Sequence, residues 1–182
     1  PSICEAVADE EVWVYARPPI TDLLSTTVEL FGKMPAGTRV TVEGQTAHGW
    51  LGFDPGVAQA ANVGVFRLRW LHPRDPVRLE GGCDAVPEVV GPVPEVCYTM
   101  PMEETRVYQS AGTASAVLVT MNWGDYAAVL GRIPDEDGDG YPEWAKIDLS
   151  VGSVGHDQQG WVEGSTLNLN GERCSDLPWV ER

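Results

Sequence analysis

The segment Pro94 to Tyr108, PEVCYTMPMEETRVY, restates the opening of the chain. Moved back 93 positions it falls on PSICEAVADEEVWVY, with Pro1/Pro94, Cys4/Cys97, Glu10/Glu103, Glu11/Glu104, Val14/Val107 and Tyr15/Tyr108 identical. Six matches in fifteen positions, against roughly one expected by chance, mark an internal repeat. The repeat predicts that the 182 residues fold as two units of about 80 residues each, a size at which a core alone is marginal and covalent cross-links help. Further along, Met121 and Gly124 match Met34 and Gly37, Val129 and Gly131 match Val42 and Gly44, and Trp144 matches Trp50. Gly160 and Leu167 are taken as the partners of Gly64 and Leu71.

Four cysteines allow three pairings. The repeat favours Cys4–Cys83 with Cys97–Cys174, because each pair then brackets one copy from its first strand to its last. No C-x-x-C is present, so a zinc or redox motif has no support. The resulting expectation is a first repeat over 1–83, a proline-rich connector over 84–96, a second repeat over 97–174 and a tail over 175–182. Three prolines and a glycine between Asp84 and Val96 predict an extended, stiff connector. The tail repeats the chemistry of that connector, CSDLPWV against CDAVPEV, so either more chain follows it or it docks onto something. The chain opens without Met or a signal peptide and is expected to be a mature or trimmed form.

Strand signals dominate both copies. Val12–Tyr15 is a short β-rich run, and Thr27 to Phe31 is read as a second strand. Thr38 to Glu43 alternates, with Val40 and Val42 on one face and Arg39, Thr41 and Glu43 on the other. Trp50 to Phe53 follows. Asp54 to Gly64 reads as a long loop with one helical turn at Val57 to Ala61. Val65 to Trp70 reads as a last long strand, and Pro73 and Pro76 frame an insertion before Cys83. Short strands punctuated by Gly and Pro, with no amphipathic helix, predict an all-β chain of two small barrels or sandwiches.

Val107-Tyr108, the turn Asn122-Trp123-Gly124-Asp125, Trp144, Gly160-Trp161-Val162 and Leu167 follow one another in an order that resembles the bacterial SH3-like domain. Copy one departs from it, with Gly64-Val65-Phe66 in place of Gly-Trp-Val. The resemblance covers nearly the whole chain apart from the connectors. It implies two tandem SH3-like β-barrels in an extracytoplasmic, non-catalytic module that binds cell-wall peptides, other proteins or an adjoining domain. The paired cysteines are not part of the usual family pattern.

Net charge sharpens the partner classes. Twenty-seven acidic residues against twelve basic ones give −15, which repels nucleic-acid phosphates and anionic lipid surfaces. No apolar run reaches the roughly 18 residues that a membrane span needs. Two disulfides place the chain in an oxidising, extracellular or cell-surface setting.

The sharpest local chemistry is Asp135-Glu136-Asp137-Gly138-Asp139-Gly140-Tyr141-Pro142-Glu143. Carboxylates at positions 1, 3, 5 and 9 with glycine at 6 curl a loop so that alternate oxygens face one point. Asp135, Asp137, Asp139, the Tyr141 carbonyl and Glu143 then form a candidate calcium site. Position 12 is Lys146 and strands flank the loop, so it is not an EF-hand. Copy one has no counterpart.

Among the seven tryptophans, Trp50, Trp144 and Trp161 are expected in the core, while Trp123 in a turn and Trp179 in the tail are candidate contact residues. The histidines lack metal-ligand spacing, and no phosphate loop or nucleophile elbow is present. The expected function is therefore a non-catalytic structural or protein-interaction role, self-assembling or with envelope proteins, and calcium-stabilised. The alternatives are a peptidoglycan or wall-peptide binding module, and an accessory domain of a larger secreted hydrolase.

Overall fold

The computed structural model describes residues 3–18, 30–59, 62–93 and 95–181. It divides into two compact units, Pro1–Ala60 with Val65–Val93 and Ala61–Gly64 with Pro94–Arg182. The first carries strands β1 (Cys4–Ala8), β2 (Val12–Tyr15), β3 (Leu30–Met34), β4 (Arg39–Thr41), β5 (Gly44–Gln45), β6 (Leu51–Phe53), β7 (Arg69–Leu71) and β8 (Val77–Gly81). The second carries β9 (Cys97–Thr99), β10 (Thr105–Tyr108), β11 (Val117–Met121), β12 (Ala127–Arg132), β13 (Trp144–Gly152), β14 (Gln159–Glu163) and β15 (Leu169–Gly171). The only helices among the described residues are short 3-10 turns. The chain is all-β.

Pairing is antiparallel and follows one plan twice. The second unit is a seven-stranded sheet in the order β11-β10-β14-β13-β12-β9-β15. The first has the same order cut in two, β3-β2-β7-β6-β5 and β4-β1-β8. The cut lies at Val42-Glu43, where the strand equivalent to β12 is interrupted. Successive residues turn to opposite sides of it there, the Val42 N–H bonding the Cys4 carbonyl of β1 and the Glu43 N–H the Gly52 carbonyl of β6.

Alternation explains which side chains go inside. In β13, Ala145, Ile147 and Leu149 are fully buried while Lys146, Asp148 and Ser150 point away. Val42 is buried and Val40 half-buried, between exposed Arg39, Thr41 and Glu43. The two cores correspond position by position. Val14, Met34, Val42, Leu51, Phe53 and Leu71 in one unit stand where Val107, Met121, Val129, Ala145, Ile147 and Val162 stand in the other. Each core is closed by its own disulfide, Cys4–Cys83 and Cys97–Cys174, both half-cystines packing against it. A second, aromatic cluster also recurs. Tyr15 meets Trp50 edge-on at 5.2 Å beside Trp70, and Tyr108 meets Trp144 edge-on at 5.6 Å beside Trp161.

Several expectations change. Val65 to Trp70 is not one strand: Gly64–Arg67 forms a 3-10 turn that buries Phe66, and only Arg69–Leu71 continues as β7. Tyr15 pairs with Trp70 as Tyr108 pairs with Trp161. Arg69-Trp70-Leu71, rather than Gly64-Val65-Phe66, is thus the counterpart of Gly160-Trp161-Val162, and Leu71 matches Val162 rather than Leu167. Trp161, expected in the core, is only half-buried, while Trp70 is fully buried. The stretch after Pro76 is no insertion, since β8 pairs with β1 along its whole length. The second strand runs over Leu30–Met34; 27–29 of the expected strand lie outside the described residues. Residues 54–59 carry no helix, and 60–61 of the expected helical turn lie outside the described residues.

The connector and the tail both fold back on their own unit. After each second cysteine comes a 3-10 turn, Cys83–Ala85 or Cys174–Asp176. Gln45 then donates its N–H to the Pro87 carbonyl at 3.0 Å and accepts the Val89 N–H at 2.9 Å. Arg132 does the same with Pro178 and Val180, at 3.0 and 2.9 Å. Both are isolated parallel bridges, pairing Gln45 with Glu88 and Arg132 with Trp179. The valine of each segment lands on a glycine. A β-carbon would lie 2.9 Å from Val89 if placed on Gly44, and 2.6 Å from Val180 if placed on Gly131. Among the described residues no helix is long and apolar enough to cross a membrane, and the two disulfides fit an oxidising compartment.

Candidate functional site

The β12–β13 hairpin positions the acidic loop. Its neck is closed by the Ile133 N–H bonding the Trp144 carbonyl at 2.8 Å and the Glu143 N–H bonding the Ile133 carbonyl at 3.2 Å. The first unit closes the same hairpin between Thr46 and Trp50 with a tight turn, the Thr46 N–H bonding the Trp50 carbonyl at 3.0 Å. The acidic loop therefore replaces a turn of a few residues at an otherwise equivalent position.

Inside the loop, Asp135 is the hub. Its Oδ1 accepts the Gly138 N–H at 2.7 Å and its Oδ2 the Gly140 N–H at 2.9 Å. Asp137 accepts the Asp139 N–H at 3.0 Å, and Asp139 accepts the Tyr141 N–H at 2.8 Å. Glu143 closes the ring by accepting the Glu136 N–H at 3.2 Å. Gly138 and Gly140 have φ of 80° and 91°, values that glycine takes without strain and that allow the two successive bends. The Gly140 N–H above all, helped by that of Gly138, holds the Asp135 carboxyl below its ordinary value, outweighing the opposing effect of desolvation.

Carboxylate oxygens of Asp135, Asp137 and Glu143 lie within 4.8 Å of one another. Asp139 stands outside that trio but lines, with Asp137, Tyr141 and Glu143, a shallow polar hollow of about 220 Å³. Glu163 of β14 lines it too, 20 residues beyond Glu143 in sequence, and no local spacing pointed to it. A hard cation with oxygen ligands suits this donor set, because carboxylates and carbonyls at this spacing can replace its hydration shell.

The two candidate contact tryptophans are both exposed, Trp123 at 61% and Trp179 at 60%. Trp123 sits in a turn fixed by the Asn122 N–H on Asp125 Oδ2 at 2.7 Å and by Gly124 at φ 92°. Trp179 sits on the tail segment, its ring 4.4 Å beneath the Arg132 guanidinium. Of the histidines, His72 is buried edge-on against Trp50 at 4.9 Å, with Nδ1 accepting the Arg74 N–H. Its position in the core matches a structural role.

No protein-family model matches the chain, and no curated protein matches it. Among solved structures, NlpC2 from Trichomonas vaginalis shares 11% identity at a TM-score of 0.28, over 92% of this chain and 48% of its own. The chain spans about half the length of that protein, and so slight a likeness carries nothing across.

Proposed function

We propose that the chain is a secreted or cell-surface binding protein of SH3-like type, non-catalytic, whose two units engage other protein subunits, with calcium ordering the acidic loop of the second. The observation that supports this best is the loop itself. It stands on only one of two otherwise matched hairpins, and Asp135, Asp137 and Glu143 converge there on one point. Exposed Tyr141 in the loop and exposed Trp123 in a nearby turn of the sequence give apolar contact area outside the core. Small disulfide-closed β-units are typical of extracellular modules, whose calcium sites bind in the range of about 10⁻⁴ to 10⁻³ M.

Calcium titrated into the oxidised chain tests the metal reading. One ion per chain is expected, with the largest amide shifts at Gly138, Gly140 and Tyr141 and their loss in Asp135→Asn. No heat and no shift at several-millimolar calcium would remove the metal from the account. A second reading, wall-peptide binding, is favoured by an apolar groove of about 210 Å³ on the first unit lined by Pro18, Val89, Val90, Pro92 and Val93. Co-sedimentation with purified wall separates the two, since only the second reading predicts it.

A further inference from the structure

The segment that follows each disulfide is seated in a slot of the same construction. Val86 and Leu177 pack against the main core, and Val89 and Val180 against the aromatic cluster. The proline carbonyl accepts a hydrogen bond, and the valine N–H donates one, to a single residue of the unit, Gln45 or Arg132. The slot thus reads the pattern Pro-x-Val through backbone bonds and one side-chain pocket, and in the second unit the side chain of x stacks on the residue that makes the bridge. In the first unit x is Glu88 and the bridging residue is Gln45; in the second x is Trp179 and the bridging residue is Arg132.

That second pairing leaves one buried donor of a cation unmet. Arg132 is half-buried, its Nε is buried without a hydrogen-bond partner, and among the described residues no carboxylate reaches its guanidinium. Among the described residues its guanidinium stacks on the ring of Trp179. A guanidinium fork is built to pair with a carboxylate, and stacking on an aromatic ring does not supply that pairing or a partner for the buried Nε. The better-matched occupant is the sequence that already fills the equivalent slot of the first unit, Pro-Glu-Val.

We propose that the slot at Gly131-Arg132 is a docking site for an extended Pro-Glu-Val strand of a partner protein, whose glutamate pairs with Arg132, and that Pro178–Val180 is the latch this strand displaces. The latch is a weak competitor. It is held to the unit by an isolated bridge of two backbone hydrogen bonds rather than by a continuous ladder, a contact that opens locally at low cost. The inference deepens the protein-interaction reading and rests on it only in taking the partner to be a protein. It needs no calcium, so its failure and that of the metal reading are separate results.

The probe is the acetylated and amidated peptide DAVPEVV, copying 84–90, titrated into the oxidised chain while the Trp179 indole N–H is followed by NMR. Trp179 is expected to shift towards its solvent position as peptide binds. Val180→Gly, which weakens the latch, is expected to tighten binding about tenfold by removing the intramolecular competitor. On that background the Glu88→Gln peptide is expected to bind about fivefold more weakly, a difference that vanishes with Arg132→Gln. In the intact chain, Trp179→Glu supplies the same pairing in cis; it is expected to slow amide exchange at Val180 severalfold, again only while Arg132 is present. The proposal is overturned if millimolar peptide fails to move Trp179 in Val180→Gly, or if the glutamate preference survives Arg132→Gln. Peptide-free dimers abolished by Arg132→Gln would also overturn it, assigning the slot to a second copy.

Discussion

A glycine can be a packing device as much as a hinge. Gly131 has ordinary backbone angles, yet any β-carbon there meets Val180 at 2.6 Å and the Pro178 carbonyl at 3.1 Å. Gly131→Ala is expected to cost about 1–3 kcal/mol in urea unfolding, the scale of overpacking a tight site, and to free the Val180 amide to exchange. Gly164 is tighter still, because a β-carbon would overlap the carbonyl of Pro142 at the end of the acidic loop. Gly164→Ala is expected to cost about 3 kcal/mol or more and to weaken calcium binding as well, by moving Glu143. Both losses are read from denaturation midpoints and calcium titration. Asp135 contributes through pH. Its folded-state carboxyl is held below the ordinary value, so its contribution to loop order is complete above that value and is lost as pH falls through the lowered one. Amide protection at Gly138 and Gly140 is expected to survive through the usual carboxylate range and collapse only below it. A collapse at mildly acidic pH would contradict the hub role of Asp135.

At the level of elements, the sequence was legible where a short stretch decides its own structure. Val12–Tyr15, the alternation from Thr38 to Glu43 and the Met-to-Gly turns are local patterns, and the structure has strands and turns there. Legibility failed where pairing is remote. β8 looks like a proline-framed insertion until its partner β1, 69 to 77 residues earlier, is known. The equivalence of Trp70 with Trp161 escaped because Gly64-Val65-Phe66 mimics the motif that Arg69-Trp70-Leu71 occupies. Proline content made 84–96 read as an extended, stiff connector, since proline cannot complete a ladder. What escaped is that one carbonyl and one N–H, on either side of Glu88 or Trp179, suffice for a bridge. In the acidic loop, spacing placed Asp135, Asp137 and Glu143 together, while Glu163 joins their hollow only because β14 lies beside β13.

Across the whole molecule, duplication explains why four cysteines pair as neighbours in the repeat rather than across it. Each bridge spans a long loop, 79 and 77 residues, so removing one frees a large denatured-state ensemble. Replacing Cys97 and Cys174 together by alanine is expected to cost about 4 kcal/mol by the loop-closure relation and to lower the unfolding midpoint of the second unit. The midpoint of the first unit serves as the internal control. Net charge of −15 sets copies against one another, and a divalent ion removes only a small part of it, so the account ties association to contacts through the calcium-ordered acidic loop. Light scattering on the oxidised chain, with millimolar calcium and then with chelator, tests that link between metal and association most directly. The account predicts a larger assembly in calcium that returns to a smaller species in chelator, and that does not form with Asp135→Asn. A single unchanged mass in both conditions would contradict it and leave Asp135 to Glu143 as an acidic turn on a monomer.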